Sequence, residues 1–236
     1  MDALLFDCDG VLAETERDGH RAAFNRAFAE FGLDVRWSAE RYGALLSTGG
    51  GKERLRRHFE EAGWPAGIDD PDRLIVELHA RKTAIVRQMV QQGEMPLRPG
   101  VARLVDAALA AAVPLAVCST ANASTVRALV ETGLGPTRAR RIAVFAGDIV
   151  AAKKPDPAIY ELAVERLGAV PARTLAVEDS RNGLLAAKAA GLRCLVTPSA
   201  YTAGEDFREA DRVVPDLGEA AGITLADCRA LCAATG

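Results

Sequence analysis

Three things are scarce or missing in this chain, and each closes off a class of function. The longest apolar run, Ala107 to Cys118, is broken by Pro114, whereas a membrane-spanning helix needs roughly 20 apolar residues. Positive charge is not in excess: 29 Lys and Arg face 32 Asp and Glu, a formal net charge of −3, so no electrostatic footprint for nucleic acid is expected. The five cysteines include no Cys-x-x-Cys pair, which removes the common redox and zinc spacings. Cys8, Cys118 and Cys194 lie in apolar strand-like runs and read as reduced core residues, and Cys228 and Cys232 stand one helical turn apart. Internal repeats and low-complexity segments are also missing. No basic leader or signal-type apolar stretch precedes the first strand pattern, so the expected location is cytoplasmic.

What is present is material for a sizeable core: 236 residues, 49% of them hydrophobic, enough for one full-size α/β domain with an insertion. After residue 95 the pattern alternates helix and strand in the manner of a doubly wound parallel sheet. Helices are expected near 101–112, 123–133, 157–168 and 182–191, and strands near 114–119, 142–147, 174–179 and 193–197, with Val213-Val214 a weak last strand. Pro99-Gly100 and Gly191 punctuate this alternation. Residues 15–94 instead place apolar side chains at helical spacing, as in Ala22, Ala23, Ala27, Phe28 and Phe31. The expected division is therefore a core of 1–14 and 95–236 with a helical domain, 15–94, inserted after the first strand. The joints near 13–16 and 94–97 are expected to act as hinges, and nothing in the pattern demands more than a monomer.

The chemistry concentrates at strand ends. Ala3-Leu4-Leu5-Phe6 reads as a buried strand that runs into Asp7-Cys8-Asp9-Gly10. Residues i and i+2 of an extended chain share a face, so Asp7 and Asp9 project together, and a hard cation would relieve their repulsion. Three more segments end in polar groups: Val117-Cys118-Ser119-Thr120, Lys153-Lys154-Pro155-Asp156-Pro157 and Val177-Glu178-Asp179-Ser180. These are the groups that phosphoryl transfer to a carboxylate requires. Asp7, Asp9, Glu178 and Asp179 offer oxygen ligands of the kind magnesium takes. Lys154 brings positive charge, and Ser119 a hydroxyl donor for a phosphoryl oxygen. Asp7 would carry the phosphoryl group, with Asp9 as general acid and then base.

In that order of motifs the chain resembles the haloacid dehalogenase superfamily of phosphotransferases. The resemblance runs from residue 7 to 179 and matches Asp7 to the nucleophile, Asp9 to the acid/base, Ser119 to the second motif, Lys154 to the third and Glu178-Asp179 to the metal-binding fourth. It implies a Rossmannoid core, a magnesium cofactor and an inserted α-helical cap that closes over the active site and selects the substrate.

Within that helical segment, Ser47-Thr48-Gly49-Gly50-Gly51-Lys52-Glu53-Arg54 has the outline of a phosphate site: glycines that free backbone N–H groups, a following helix and two cations. Leu46 and Glu53 exclude a Walker A loop. His79 and Lys82, three apart, share a helix face, and a plain solvated face is an equal reading of that spacing. The stretches FDCDGVLAETE, RAAFNRAFAEFGL, TGGGKER, LRPGV, KKPDP and VEDSRNGLLAAKAAGLRC are similar to the CbbY-type branch of the superfamily, associated with hydrolysis of xylulose 1,5-bisphosphate. By that resemblance Glu16 would contact sugar hydroxyls, and Gly50, Gly51, Lys52, Arg54, His79 and Lys82 would hold a distal phosphate. Ser119, Thr120, Asn122 and Lys154 complete the implied substrate contacts. Gly49 stands where Thr is expected, and Ser119-Thr120-Ala121-Asn122 replaces a threonine-rich run. Three alternatives stay open at this point: a phosphoglucomutase of the same superfamily, a broad sugar-monophosphate phosphatase, and a binding protein without catalysis.

Overall fold

The computed structural model describes residues 1–48, 50–218, 220 and 222–233, so Gly49 lies outside the described residues. The chain divides into two compact units, one of Met1–Glu14 with Met95–Gly236 and one of Thr15–Glu94.

In the first unit six parallel strands form one sheet in the order β3-β2-β1-β4-β5-β6: β1 (Ala3–Phe6), β2 (Leu115–Ser119), β3 (Ile142–Ala146), β4 (Thr174–Glu178), β5 (Arg193–Val196) and β6 (Arg212–Val213). This is the doubly wound α/β class read from the sequence. The strands β1, β2 and β4 are buried along their whole length and mostly apolar, with Ser119, Thr174 and Glu178 at strand ends, as suits parallel strands covered on both faces. β1 lies between β2 and β4, with Phe6 in register with both Val117 and Val177. The chain runs outward from β1 to β2 and β3, then crosses to β4 on the other side. That reversal opens a crevice beyond the carboxyl ends of β2, β1 and β4.

Helices α5 (Val101–Ala110), α6 (Ala123–Leu134), α8 (Ala158–Leu167) and α9 (Arg181–Ala189) connect the strands. Asn122 caps α6 by accepting from Ser124 N–H at 3.0 Å, and Ser180 caps α9 by accepting from Gly183 N–H at 3.2 Å. The short α7 (Pro136–Ala139), a 3₁₀ turn at Pro171–Arg173 and α10 (Leu225–Ala233) were not expected as elements. The first two span too few residues to build a periodic signal.

The second unit is helical: a π-helical turn at Thr15–His20, then α1 (Arg21–Glu30), α2 (Ala39–Leu45), α3 (Gly51–Ala62) and α4 (Pro71–Gln91). Ser38 and Asp70 cap α2 and α4, and Pro71 occupies the first turn of α4. Its core is a ring cluster in which Phe24 and Phe28 meet Trp37 at centroid distances of 4.7 and 5.0 Å. Asn25 pins Trp37 from both sides, accepting its N–H at 2.8 Å and donating to its carbonyl at 3.0 Å. Among the described residues, no helix is long and apolar enough to cross a membrane.

Leu175, fully buried in β4 between β1 and β5, is a direct probe of this packing. Leu175→Ala is expected to cost about 2–5 kcal/mol, read as a lower midpoint in urea at unchanged slope.

Candidate active site

The register of the sheet assembles the core cluster. Asp7 follows the last residue of β1, and its N–H donates to Val177 O at 2.9 Å, so its side chain emerges beside the ends of β2 and β4. The next turn is sharp: Gly10 has φ +78°, with its N–H on Ala13 O at 2.8 Å. A Cβ at Gly10 would overlap the Asp179 carboxylate, so only glycine serves both the conformation and the close approach.

Lys154 is the hub. Its Nζ donates to Asp7 Oδ1 at 2.6 Å, Glu178 Oε1 at 2.6 Å and Cys118 O at 2.8 Å, and it stands 4.8 Å from the centroid of the Tyr160 ring. Burial opposes its charge, but Asp7 and Glu178 outweigh that and hold the ammonium protonated well above the ordinary lysine range. Tyr160, on α8, donates its hydroxyl to the same Glu178 oxygen. Glu178 has no exposed surface. Burial pushes its carboxyl up, Lys154 pulls it down and Asp7 adds to the rise. A Cβ at Gly183 would overlap that carboxylate, so α9 starts directly against it.

Asp179 completes the group. Thr202 Oγ1 donates to its Oδ2 at 3.3 Å, and burial, then repulsion from Asp7 and Glu178, pushes its carboxyl well above the usual range. Asp7, Glu178 and Asp179 each offer an oxygen within 4.8 Å of the others, all buried. Three hard oxygen donors crowded in this way fit a divalent cation. The Asp9 carboxylate falls outside that three-residue group; its Oδ2 accepts from Ser119 Oγ at 3.4 Å, and Ser119 accepts from Ala121 N–H at 3.0 Å. Thr120 is half-buried and Asn122 exposed. The Asn122 Oδ1 is engaged in capping α6.

Within the helical unit a second cluster forms. Tyr42 donates its hydroxyl to Glu16 Oε2, and Arg54 reaches the Tyr42 oxygen at 3.2 Å, the Thr48 carbonyl at 3.0 Å and Glu16 at 3.8 Å. Lys82 Nζ lies 2.9 Å from His20 Nδ1 and 4.9 Å from the centroid of the Phe24 ring. Burial, then the charge of Lys82, lowers the His20 pKa to about 4, so the imidazole is neutral and serves as acceptor. For Glu16, burial raises the carboxyl, but His20, Arg54, Tyr42 and Lys82 together hold it below its usual range. His79 backs Gly51, where a Cβ would come within 2.7 Å of its ring. Lys52 is exposed, and Gly50 has φ +91°.

Glu16, Arg54 and Lys82 are thus brought together, His79 and Gly51 form a contact of their own, and Lys52 stands on the surface. The sequence reading missed His20, Tyr42 and Tyr160. An aromatic residue in an apolar helix pattern reads as core, and the one available signal for His20 was its place four residues after Glu16.

The sequence profile of the haloacid dehalogenase-like hydrolase family matches residues 1–191. A CBBY-like protein of Arabidopsis thaliana is 53% identical over 92% of this chain and 69% of its own length. The protein CbbY of Cereibacter sphaeroides is 44% identical over 98% of both chains. The crystal structure of a CbbY mutant from Rhodobacter sphaeroides in complex with xylulose 1,5-bisphosphate superposes with a TM-score of 0.77 at 44% identity, covering 93% of this chain and 96% of the other.

The neutral state of His20 has a thermodynamic signature. Its pKa of about 4 in the folded chain lies below the ordinary 6.5, so from pH 6.5 down to 4 the unfolded chain takes up a proton that the folded chain refuses. Stability conferred at neutral pH is lost over that window as pH falls. The stability difference between wild type and His20→Gln, measured by denaturation from pH 8 to 4, is expected to shrink or reverse as pH falls.

Proposed function

The chain belongs to the haloacid dehalogenase-like hydrolase family, and from that premise we propose that it is a magnesium-dependent phosphatase of phosphorylated sugars, with xylulose 1,5-bisphosphate as substrate. One observation carries the chemistry: a buried ammonium, Lys154, bonded to both Asp7 and Glu178 beside Asp179 at the ends of parallel strands. The substrate assignment is supported by the 44–53% identity to CbbY-named relatives and by the cation cluster of the helical unit.

In the proposed reaction an oxygen of Asp7 attacks phosphorus and the ester P–O bond breaks, leaving an aspartyl-phosphate. Asp9 gives its proton to the departing sugar alkoxide. The same carboxylate then takes a proton from water, which attacks phosphorus and releases inorganic phosphate, regenerating Asp7. Lys154 donates to Asp7 Oδ1, and its charge offsets repulsion between the carboxylate and the anionic ester. Ser119 offers its hydroxyl to a phosphoryl oxygen. Asp7 and Asp179, backed by Glu178, would hold magnesium, which when bound supplies further neutralisation of the phosphoryl charge. In the helical unit Arg54 and Lys82 would take the phosphate that is not transferred, Lys52 would add charge, and Glu16 would accept from sugar hydroxyls. The protein is proposed to work in the cytoplasm as a monomer.

The deciding experiment is magnesium-dependent phosphate release from xylulose 1,5-bisphosphate, ribulose 1,5-bisphosphate, glucose 1,6-bisphosphate and sugar monophosphates, compared as kcat/KM. The xylulose compound is expected to lead by at least about tenfold. Equal rates on all would discard the substrate, and turnover by a folded Asp7→Asn protein within about a hundredfold of wild type would discard the mechanism.

The cap cations generate a separate expectation. Lys52→Ala should lower kcat/KM for bisphosphates by about tenfold or more and leave monophosphates within about twofold. Equal losses on both would refute a distal-phosphate role.

A further inference from the structure

The chain leaves the core unit after Glu14 and re-enters it at Met95. Inside that unit the two passages are bonded to each other: Ala13 pairs antiparallel with Leu97, and Arg98 N–H donates to Leu12 O at 2.7 Å. The Arg98 side chain then goes inward and is only 9% exposed. Its Nη1 donates to Gly10 O, to Thr197 O at 2.8 Å and to Thr197 Oγ1 at 3.3 Å. Its Nη2 donates to Pro198 O at 2.9 Å and Pro215 O at 3.0 Å, and its Nε faces the Glu14 carboxylate at 3.4 Å. A planar, permanently charged fork of five N–H donors can serve this many acceptors at once; a lysine cannot.

The acceptors are the backbone behind two functional groups. Gly10 directly follows Asp9 and holds a left-handed conformation. Thr197-Pro198 leads into Ser199, whose N–H donates to Thr202 Oγ1 at 2.8 Å, and that hydroxyl in turn donates to Asp179. Arg98 therefore ties the turn carrying the acid/base to the loop supporting Asp179. We propose that Arg98 is a positioning residue for the reaction, fixing where the Asp9 carboxyl stands when its proton passes to the leaving group. This rests on the aspartyl-phosphate reading above.

The test compares wild type, Arg98→Lys and Arg98→Ala, each checked for fold by circular dichroism and thermal melting. The substrates are a sugar phosphate and p-nitrophenyl phosphate, whose leaving group departs without a proton. For the sugar phosphate, kcat is expected to fall about a hundredfold in both variants with KM within about twofold, as a misplaced catalytic group would cause. First-turnover release of p-nitrophenolate should fall less than about tenfold, because it bypasses the acid. Millimolar guanidinium chloride should restore part of the Arg98→Ala turnover, and ethylammonium none. Folded variants with wild-type kcat, equal losses on both substrates, or loss of fold in both variants would each overturn the assignment. Inactivity of the wild type on every ester would defeat the proposed chemistry and this assignment with it, whereas an active wild type with active variants defeats the assignment alone.

Discussion

A single buried ammonium held between two carboxylates sets the terms for the rest of the core. Asp7, Asp9, Glu178 and Asp179 bring four acids to one strand-end crevice, and Lys154 is bonded to two of them at 2.6 Å. One positive charge does not balance that group, and burial raises the cost of the remainder. The surplus shows in the raised carboxyl of Asp179, and three crowded oxygen donors of this kind fit a divalent cation. Tyr160 and the first turn of α9 serve the same constraint from behind, since both hold Glu178 toward Lys154 and not away from it.

The helical unit handles its cations by a different route. Lys82 lies 2.9 Å from the Nδ1 of an imidazole that stays neutral. That acceptor brings no negative charge of its own to the ammonium. Arg54 is likewise directed chiefly by the Tyr42 oxygen and the Thr48 carbonyl, with Glu16 at the longer distance of 3.8 Å. In the core, carboxylates hold the lysine; in the helical unit, neutral acceptors also take part in holding the cations.

The doubly wound class was legible because strands buried on both faces leave apolar runs, as at 115–118 and 175–177, and because Gly100 and Gly191 punctuate the alternating helices, before α5 and after α9. Asp7, Glu178 and Asp179 stood out because acids at strand ends contradict their apolar surroundings, and Lys154 because it stands directly before a proline in the loop ahead of α8. Arg98 and Tyr160 did not. A lone arginine before Pro-Gly carries no local pattern, and its acceptors lie 88 to 117 positions away. His20 and Tyr42 gain their roles only when a π-helical turn and two other helices approach one another, an arrangement that periodicity does not encode. The Asp9 carboxylate illustrates the same limit, since sharing a face with Asp7 on an ideal strand does not place it in the three-acid group once the chain turns at Gly10.

The ion pair at the centre joins residues 147 positions apart, and this separation matters to a chain still on the ribosome. Asp7 precedes its lysine by the whole helical unit and by two further strands, β2 and β3. The neighbour that covers β1 on its other side, β4, comes later still. Until Lys154 and β4 are made, Asp7 lacks its ammonium partner and β1 lacks one of its two neighbouring strands. A product ending before residue 154 retains Asp7 but neither the ammonium that pairs with it nor the Glu178 and Asp179 carboxylates of the same cluster.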